Sequence, residues 1–287
     1  MNASPDKKLK SLIKQQFSLA RERGSMAVSL GALIHRVLRA IRPREQSNVT
    51  WFLRNPILLS EIYEAINQFK QGETVRLCAV GCSTGAEIYS VLYSARKARP
   101  DLNIETVAID ISEWAIGRAS AGRYKRSDPE MEDVSEESMR ELFEMDGGAL
   151  KIKPWISQGI RWILGDARSP RLRELIEQQD IVIANNFMIH MRTAEATGCF
   201  QNVAGLVRPG GLLVCWGMDV DVRERVALQL HLQPLSGRVE EMHNSAWRAL
   251  SGWPWQYWGL EPLDKRRAHW DFRYAPLFRV PGLPVQH

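Results

Sequence analysis

Val75-Arg76-Leu77-Cys78-Ala79-Val80-Gly81-Cys82-Ser83-Thr84-Gly85-Ala86-Glu87-Ile88-Tyr89-Ser90 is an apolar run that stops at a glycine turn and resumes with helical character. It reads as strand, tight turn, helix. Glycine at positions 81 and 85 lets the backbone take positive φ and come close to a ligand, and a helix starting near Gly85 leaves free N–H groups facing polar atoms. By itself the pattern is common. Its weight comes from Ile104-Glu105-Thr106-Val107-Ala108-Ile109-Asp110, a second apolar run that ends in a carboxylate. A carboxylate roughly 20 to 25 residues beyond such a turn accepts hydrogen bonds from two ribose hydroxyls in dinucleotide folds. The glycines do not fit G-x-G-x-x-G, which argues against a nicotinamide cofactor and points to an adenosine ligand without a pyrophosphate.

Working outward, strands are expected at 75–80, 104–109, 160–164, 181–184 and 212–216, with helices at 86–98, 112–121 and 193–207 between them. Such alternation is the signature of a mostly parallel sheet with helices on both faces. Upstream, Leu9, Leu12, Ile13, Phe17 and Ala20 recur at helical spacing, as do Leu30, Leu33, Ile34, Val37, Leu38 and Ile41. Gly24 separates the two helices and Pro43 closes the second. A third carries Leu58, Ile62, Ile66 and Phe69 and ends at Gln71-Gly72. The expected organisation is a small all-α domain over residues 1–71 and an α/β domain over 72–287.

Within the α/β domain, residues 124–159 read as an insertion. Asp133-Val134-Ser135-Glu136 is a cap for a helix through Met139, Leu142 and Phe143, which Gly147-Gly148 breaks. Asp219 to Leu232 suggests another helix. Beyond it Trp247, Trp253, Trp255, Trp258 and Trp270 crowd an extension near 245–280, and Arg273 to Val280 is expected as a last strand. Packing of a lid or hairpin is favoured over the wall of a pocket, because Pro254 and Gly259 imply irregular backbone that needs anchoring.

Composition narrows the class. Hydrophobic residues at 45% and charged residues at 25% are ordinary for a globular protein, and 287 residues can bury a full α/β core with a second small domain. No run is long and apolar enough to span a bilayer, and Met1 to Lys8 contains no apolar signal segment, so a cytoplasmic location is the expectation. Cys78, Cys82, Cys199 and Cys215 lack the clustering of a zinc site and read as buried free thiols; no metal is expected. Net charge is +5, but residues 1–54 carry +8 and the remainder −3. That front end would attract an acidic protein surface or a nucleic acid, or else is a solvated helix face.

Gly81-Cys82-Ser83-Thr84-Gly85-x-Glu87-x-Tyr89-Ser90 closely resembles the nucleotide-binding turn of the chemotaxis receptor methyltransferases, the CheR family of S-adenosylmethionine-dependent protein-glutamate O-methyltransferases. Asn48-Val49-Thr50-Trp51-Phe52-Leu53-Arg54-Asn55 resembles the family's Asn-x-Thr-x-Phe-Phe-Arg segment. Asn185-Asn186-Phe187-Met188-Ile189-His190-Met191 resembles its Arg-Asn-Val-Leu-Ile-Tyr-Phe, and Pro209-Gly210-Gly211 its turn before a late strand. The resemblance implies a Rossmann-like class I methyltransferase sheet behind a small N-terminal helical domain.

It also implies roles. Asp110 would hold the ribose, Glu87 would lie near the methionine amino group, and Arg54 with Thr50 and Asn48 would close over the cofactor and pair with its carboxylate. Gly81 and Gly85 would let the backbone approach the ligand. Asp166 and Ala167 fall where this fold contacts adenine, and Asn186 and Phe187 would line the same cavity. The chain departs from the family at Ala86, Ile88, Asn185, His190 and Gly217-Met218-Asp219, several of them near the acceptor side. A carboxylate acceptor is ionised at neutral pH and needs no base, whereas a hydroxyl or amine acceptor would call on His190. Three readings stay open. One is a methyltransferase for a protein carboxylate, with Arg54 in the catalytic site; another is a methyltransferase for a small molecule with His190 as base; the last is a cofactor-binding regulatory module without catalysis. Nothing resembles a base-reading motif, so nucleic acid ranks behind the other acceptors.

Overall fold

In the computed structural model, which describes residues 50–246, 250, 253 and 257–282, Thr74–Val80 forms strand β1 in the middle of a seven-stranded sheet. The other strands are β2 (Asn103–Asp110), β6 (Ile160–Leu164), β7 (Gln179–Ile183), β8 (Val207–Val214), β9 (Gln233–Pro234) and β10 (Leu277–Arg279). Their order across the sheet is β6-β2-β1-β7-β8-β10-β9. The first five run parallel, and β10 is antiparallel to both of its neighbours. A small second sheet, β3-β5-β4, comes from the insertion: β3 is Arg123–Tyr124, β4 Phe143–Asp146 and β5 Ala149–Ile152.

Burial explains the central placing of β1 and β7. All of β7 is buried, and so is β1 from Leu77 onward, as parallel strands covered on both faces require. Helices α1 (Pro56–Asn67), α2 (Ala86–Ala98), α3 (Glu113–Ala121), α4 (Glu136–Leu142), α5 (Thr193–Ala204), α6 (Val220–Gln229), α7 (Val239–Ser245) and α8 (Trp270–Tyr274) pack around it. α2 is preceded by its N-cap Gly85, whose φ of 90° suits glycine, and stops before Pro100, which cannot donate to the helix ladder. Its buried Ile88, Tyr89 and Leu92 face the core, and the Tyr89 hydroxyl donates to the Ala119 carbonyl of α3 at 2.6 Å. The chain leaves β1 toward β2 on one side and returns as β7 on the other. The crevice at the carboxyl ends of these strands is the switch point where α/β sheets bind ligands.

The parallel strands and main helices lie where the sequence predicts, and three local expectations are corrected. The helix of the insertion ends at Leu142, and Phe143 begins β4. Gly147 and Gly148, at φ 55° and 81°, form the turn of the β4–β5 hairpin. Pro209-Gly210-Gly211 lies within β8, at the irregularity between the Val207–Gln179 and Leu212–Ile181 pairings, with Gly210 at φ 77°. Arg273 and Tyr274 end helix α8, so the last strand is confined to Leu277–Arg279. The two helices expected over Leu9 to Ile41 lie outside the described residues.

The tail is fastened by an ionic network centred on the buried Arg273 and Glu261. Arg273 donates to Glu261 at 2.6 Å and to Asp221 and Glu224 at 2.8 Å each, while the Tyr274 hydroxyl reaches Glu261 at 3.0 Å. Burial opposes the Arg273 charge, but its hydrogen bond and attraction to Glu261 outweigh this and hold its pKa above the usual value. Buried Arg223 donates to the Arg273 and Cys215 carbonyls. All four cysteines are buried and free. Desolvation pushes the thiols of Cys78, Cys199 and Cys215 up to about 12, which leaves them neutral and inert. No described helix is long and apolar enough to cross a membrane.

Candidate active site

The turn after β1 is built on left-handed backbone. Gly81 (φ 69°), Ser83 (φ 49°) and Gly85 (φ 90°) alternate with ordinary residues, and the Gly81 and Cys82 amides donate to the Ile109 carbonyl at 2.8 and 3.0 Å. That binds the turn to the end of β2. A Cβ on Gly81 would stand 2.5 Å from the Phe187 ring, so glycine is required there for contact as well as for φ. The Tyr124 hydroxyl, buried, donates to the Thr84 carbonyl at 2.6 Å and clamps the turn from the insertion side.

Asp110 joins two elements. Its carboxylate accepts from the Ser83 amide at 2.7 Å and from the Ser112 amide at 2.9 Å, one on each oxygen. It is 7% exposed and lines the crevice, and each oxygen has a further lone pair with which to accept. Ser112 in turn caps α3 by accepting from the Ala115 amide.

Across the crevice, the segment from Thr50 to Asn55 is held by residues that do not face the ligand space. Phe52 is buried and meets the rings of Tyr124 and Phe143 edge-on at 5.0 Å each, and its amide donates to the Glu130 carbonyl. The Leu53 amide donates to the Ser90 hydroxyl at 2.8 Å. Arg54 is thereby placed at the cavity with its guanidinium 4.3 Å from the Trp51 ring centroid. Among the described residues it forms no ion pair within 4.0 Å. Burial lowers its pKa and the nearby Glu87 opposes that shift.

Glu87 lies one residue inside α2. Burial pushes its carboxyl above the usual range, against the Asn185 hydrogen bond and the Arg54 field. The Asn185 amide donates to Glu87 at 2.8 Å and its oxygen accepts from the Trp216 amide at 2.6 Å. Asn186 follows at φ 62°, a conformation asparagine tolerates, with its side chain lying over Gly217. Asp166 is chelated by its neighbour: the Arg168 amide and guanidinium all donate to it, and that hydrogen bonding lowers its pKa.

One cavity collects these groups. Thr50, Arg54, Gly81, Glu87, Asp110, Asp166, Ala167, Asn186, Phe187 and His190 all line it. Gly85 stands behind the wall, where a Cβ would meet Tyr89 and Ala119. Asn48 lies outside the described residues. Sequence reasoning missed Ile111, Arg168, Met191 and Glu195, which also line the cavity. Ile111 was signalled by its place directly after the ribose-type carboxylate and by its apolar character. None of the described tryptophans of the tail (Trp253, Trp258, Trp270) lines the cavity, and Trp258 is half exposed. Among the described residues no cluster of His, Cys, Asp and Glu could hold a metal.

The cavity thus brings together a buried carboxylate acceptor at Asp110, a second carboxylate at Glu87 and a half-buried guanidinium at Arg54. Residues 48–222 match the family model described as CheR methyltransferase, SAM binding domain. The chain belongs to that family. S-Adenosylmethionine is the cofactor of this CheR domain, and its α/β sheet is the Rossmann-like one expected. A chemotaxis protein methyltransferase of Listeria innocua is 24% identical over 177 residues, 60% of this chain and 65% of that protein. Chemotaxis protein methyltransferase 2 of Vibrio cholerae is 22% identical over 174 residues, 58% of this chain and 60% of that one. The chain thus spans somewhat under two thirds of the length of these curated relatives. Among solved structures, magnesium protoporphyrin IX methyltransferase of Synechocystis with bound S-adenosylmethionine is 15% identical, with a TM-score of 0.37, over 82% of this chain and 90% of that one.

Proposed function

We propose that this CheR-family chain transfers the methyl group of S-adenosylmethionine to a carboxylate on a protein, a glutamate side chain. The observation that carries the reading is the juxtaposition of Arg54, Glu87 and Asp110 on one cavity, with Arg54 free of any ion pair among the described residues. When bound, S-adenosylmethionine supplies a sulfonium methyl that an in-line nucleophile takes as the carbon–sulfur bond breaks and its electron pair stays on sulfur. Asp110 would hold the ribose, with the Ser83 and Ser112 amides fixing its carboxylate. Glu87 would meet the ammonium and Arg54 the carboxylate of the methionine part, with Asp166 and Ala167 at the adenine end and Asn186 and Phe187 along the wall. Held this way, the cofactor would present its methyl to an acceptor oxygen, and methyl transfer gains most from such positioning when the reacting atoms lie about 3 to 3.5 Å apart. A glutamate acceptor arrives ionised, so no residue has to move a proton. The basic segment over residues 1–54 supports an acidic protein partner, and the reading implies a cytoplasmic setting.

The product class gives the test. A methyl ester is cleaved by mild alkali to methanol, whereas N-methyl and ether products are not. Label from methyl-tritiated S-adenosylmethionine should enter a protein fraction and be released as volatile methanol at high pH. Alkali-stable label would overturn the carboxylate acceptor, and cofactor binding without any transfer would point to a regulatory module. His190 on the cavity wall supports a second reading, a hydroxyl or amine acceptor deprotonated by its imidazole. In that case His190→Phe should abolish transfer. Under the carboxylate reading it leaves the rate flat from about pH 6 to 8.

A further inference from the structure

Asn185 stands where the family has arginine, is buried, and lies between β7 and the cavity. Its amide orientation is fixed by its partners. The Trp216 backbone N–H can only donate, so the Asn185 oxygen must face it at 2.6 Å, which leaves the amide nitrogen to donate to Glu87 at 2.8 Å. The Glu87 oxygen it meets is therefore an acceptor. One planar side chain thus ties the end of β8 to a carboxylate on α2, 98 residues away in sequence.

We propose that Asn185 is the positioning residue that holds Glu87 aimed at the cofactor's ammonium. The inference rests on the reading that Glu87 faces the methionine part of S-adenosylmethionine. An arginine at position 185 would neutralise Glu87 and compete with the ammonium for it. The neutral amide orients Glu87 and leaves its negative charge for the ligand. Burial alone would favour the protonated form of Glu87, and the Asn185 donor works against it. The other charged or titratable groups lining the cavity are Arg54, Cys82, Asp110, Asp166, Arg168, His190 and Glu195. Of these, Arg54 acts on Glu87 in the same direction as Asn185.

Two probes separate positioning from mere structure. S-Adenosylhomocysteine carries the ammonium, and 5′-methylthioadenosine keeps the adenosine but lacks the amino-acid part. For Asn185→Ala, calorimetry should show at least about tenfold weaker binding of the first and less than about twofold change for the second, as expected for loss of a charge-assisted contact. Glu87→Gln should do the same, and the double variant should lose no more than Glu87→Gln alone. Should Asn185→Ala not fold, Asn185→Asp keeps an acceptor for the Trp216 amide and faces Glu87 with a second carboxyl. The two then share a proton that S-adenosylhomocysteine expels on binding and 5′-methylthioadenosine does not, counted in buffers of different ionisation enthalpy. Equal losses for both probes, losses that multiply in the double variant, or no proton released from Asn185→Asp would overturn the proposal. A wild-type chain that binds neither probe would instead bring down the cofactor site itself.

Discussion

The Asp110 carboxylate takes one N–H from the turn after β1 and one from the start of α3, so a single side chain sets the distance between two backbone segments and still faces the crevice. Gly81 shows the same economy. With φ at 69° and the Phe187 ring filling the space of a Cβ, Gly81→Ala should cost about 1–3 kcal/mol and weaken S-adenosylhomocysteine binding, read by thermal melts and calorimetry. The ionisation of Glu87 sets a pH dependence. Its folded pKa is raised by burial, so as pH falls the carboxyl takes up its proton before an ordinary glutamate would. Cofactor affinity should therefore decline on the acid side starting above the usual glutamate range, and Glu87→Gln should remove that decline. Asp110, Arg54 and Glu87 were legible in the sequence because each sits at a fixed offset within a motif. The Asn185–Glu87 bond was not, because a contact across 98 residues leaves no local pattern.

Among the elements, the stretch from Thr50 to Asn55 depends on a residue that never touches the cavity. Phe52 packs edge-on against Tyr124 and Phe143, which also meet each other, and thereby fixes Thr50 and Arg54 on either side of it in the chain. Phe52→Ala should destabilise the fold by about 3–5 kcal/mol and weaken cofactor binding in the protein that remains folded, measured by denaturant titration and calorimetry. The parallel strands were legible because continuous apolar runs alternate with amphipathic helices. The β4–β5 hairpin was not. Met139, Leu142 and Phe143 continue a helical spacing, and only the paired glycines at 147 and 148 favour a tight turn over a plain break. Met145, at 71% exposure, offers no buried alternation to reveal the strand.

At the scale of the molecule, the sheet's antiparallel edge and the tail are joined through Arg273. Its partners come from Glu261 and from Asp221 and Glu224 of α6, so charge pairing adds to the packing of Trp270 on the core in fastening the tail. Glu261→Ala should cost about 3 kcal/mol by leaving a buried guanidinium short of its strongest partner, seen as a lower denaturant midpoint. Cofactor affinity at low denaturant should stay as it was, since Glu261 does not line the cavity. The tail's tryptophans were expected chiefly to pack, and the described ones stand away from the cavity, but a network assembled from residues 12 to 52 positions apart could not be read from composition.

Everything proposed about the reaction depends on one ligand lying against Asp110. Calorimetric titration of the purified chain with S-adenosylmethionine, beside Asp110→Ala, measures that directly. The expected result is one saturable site per chain in the wild type and no measurable binding in the variant. Equal affinity in both would contradict the assignment of this cavity.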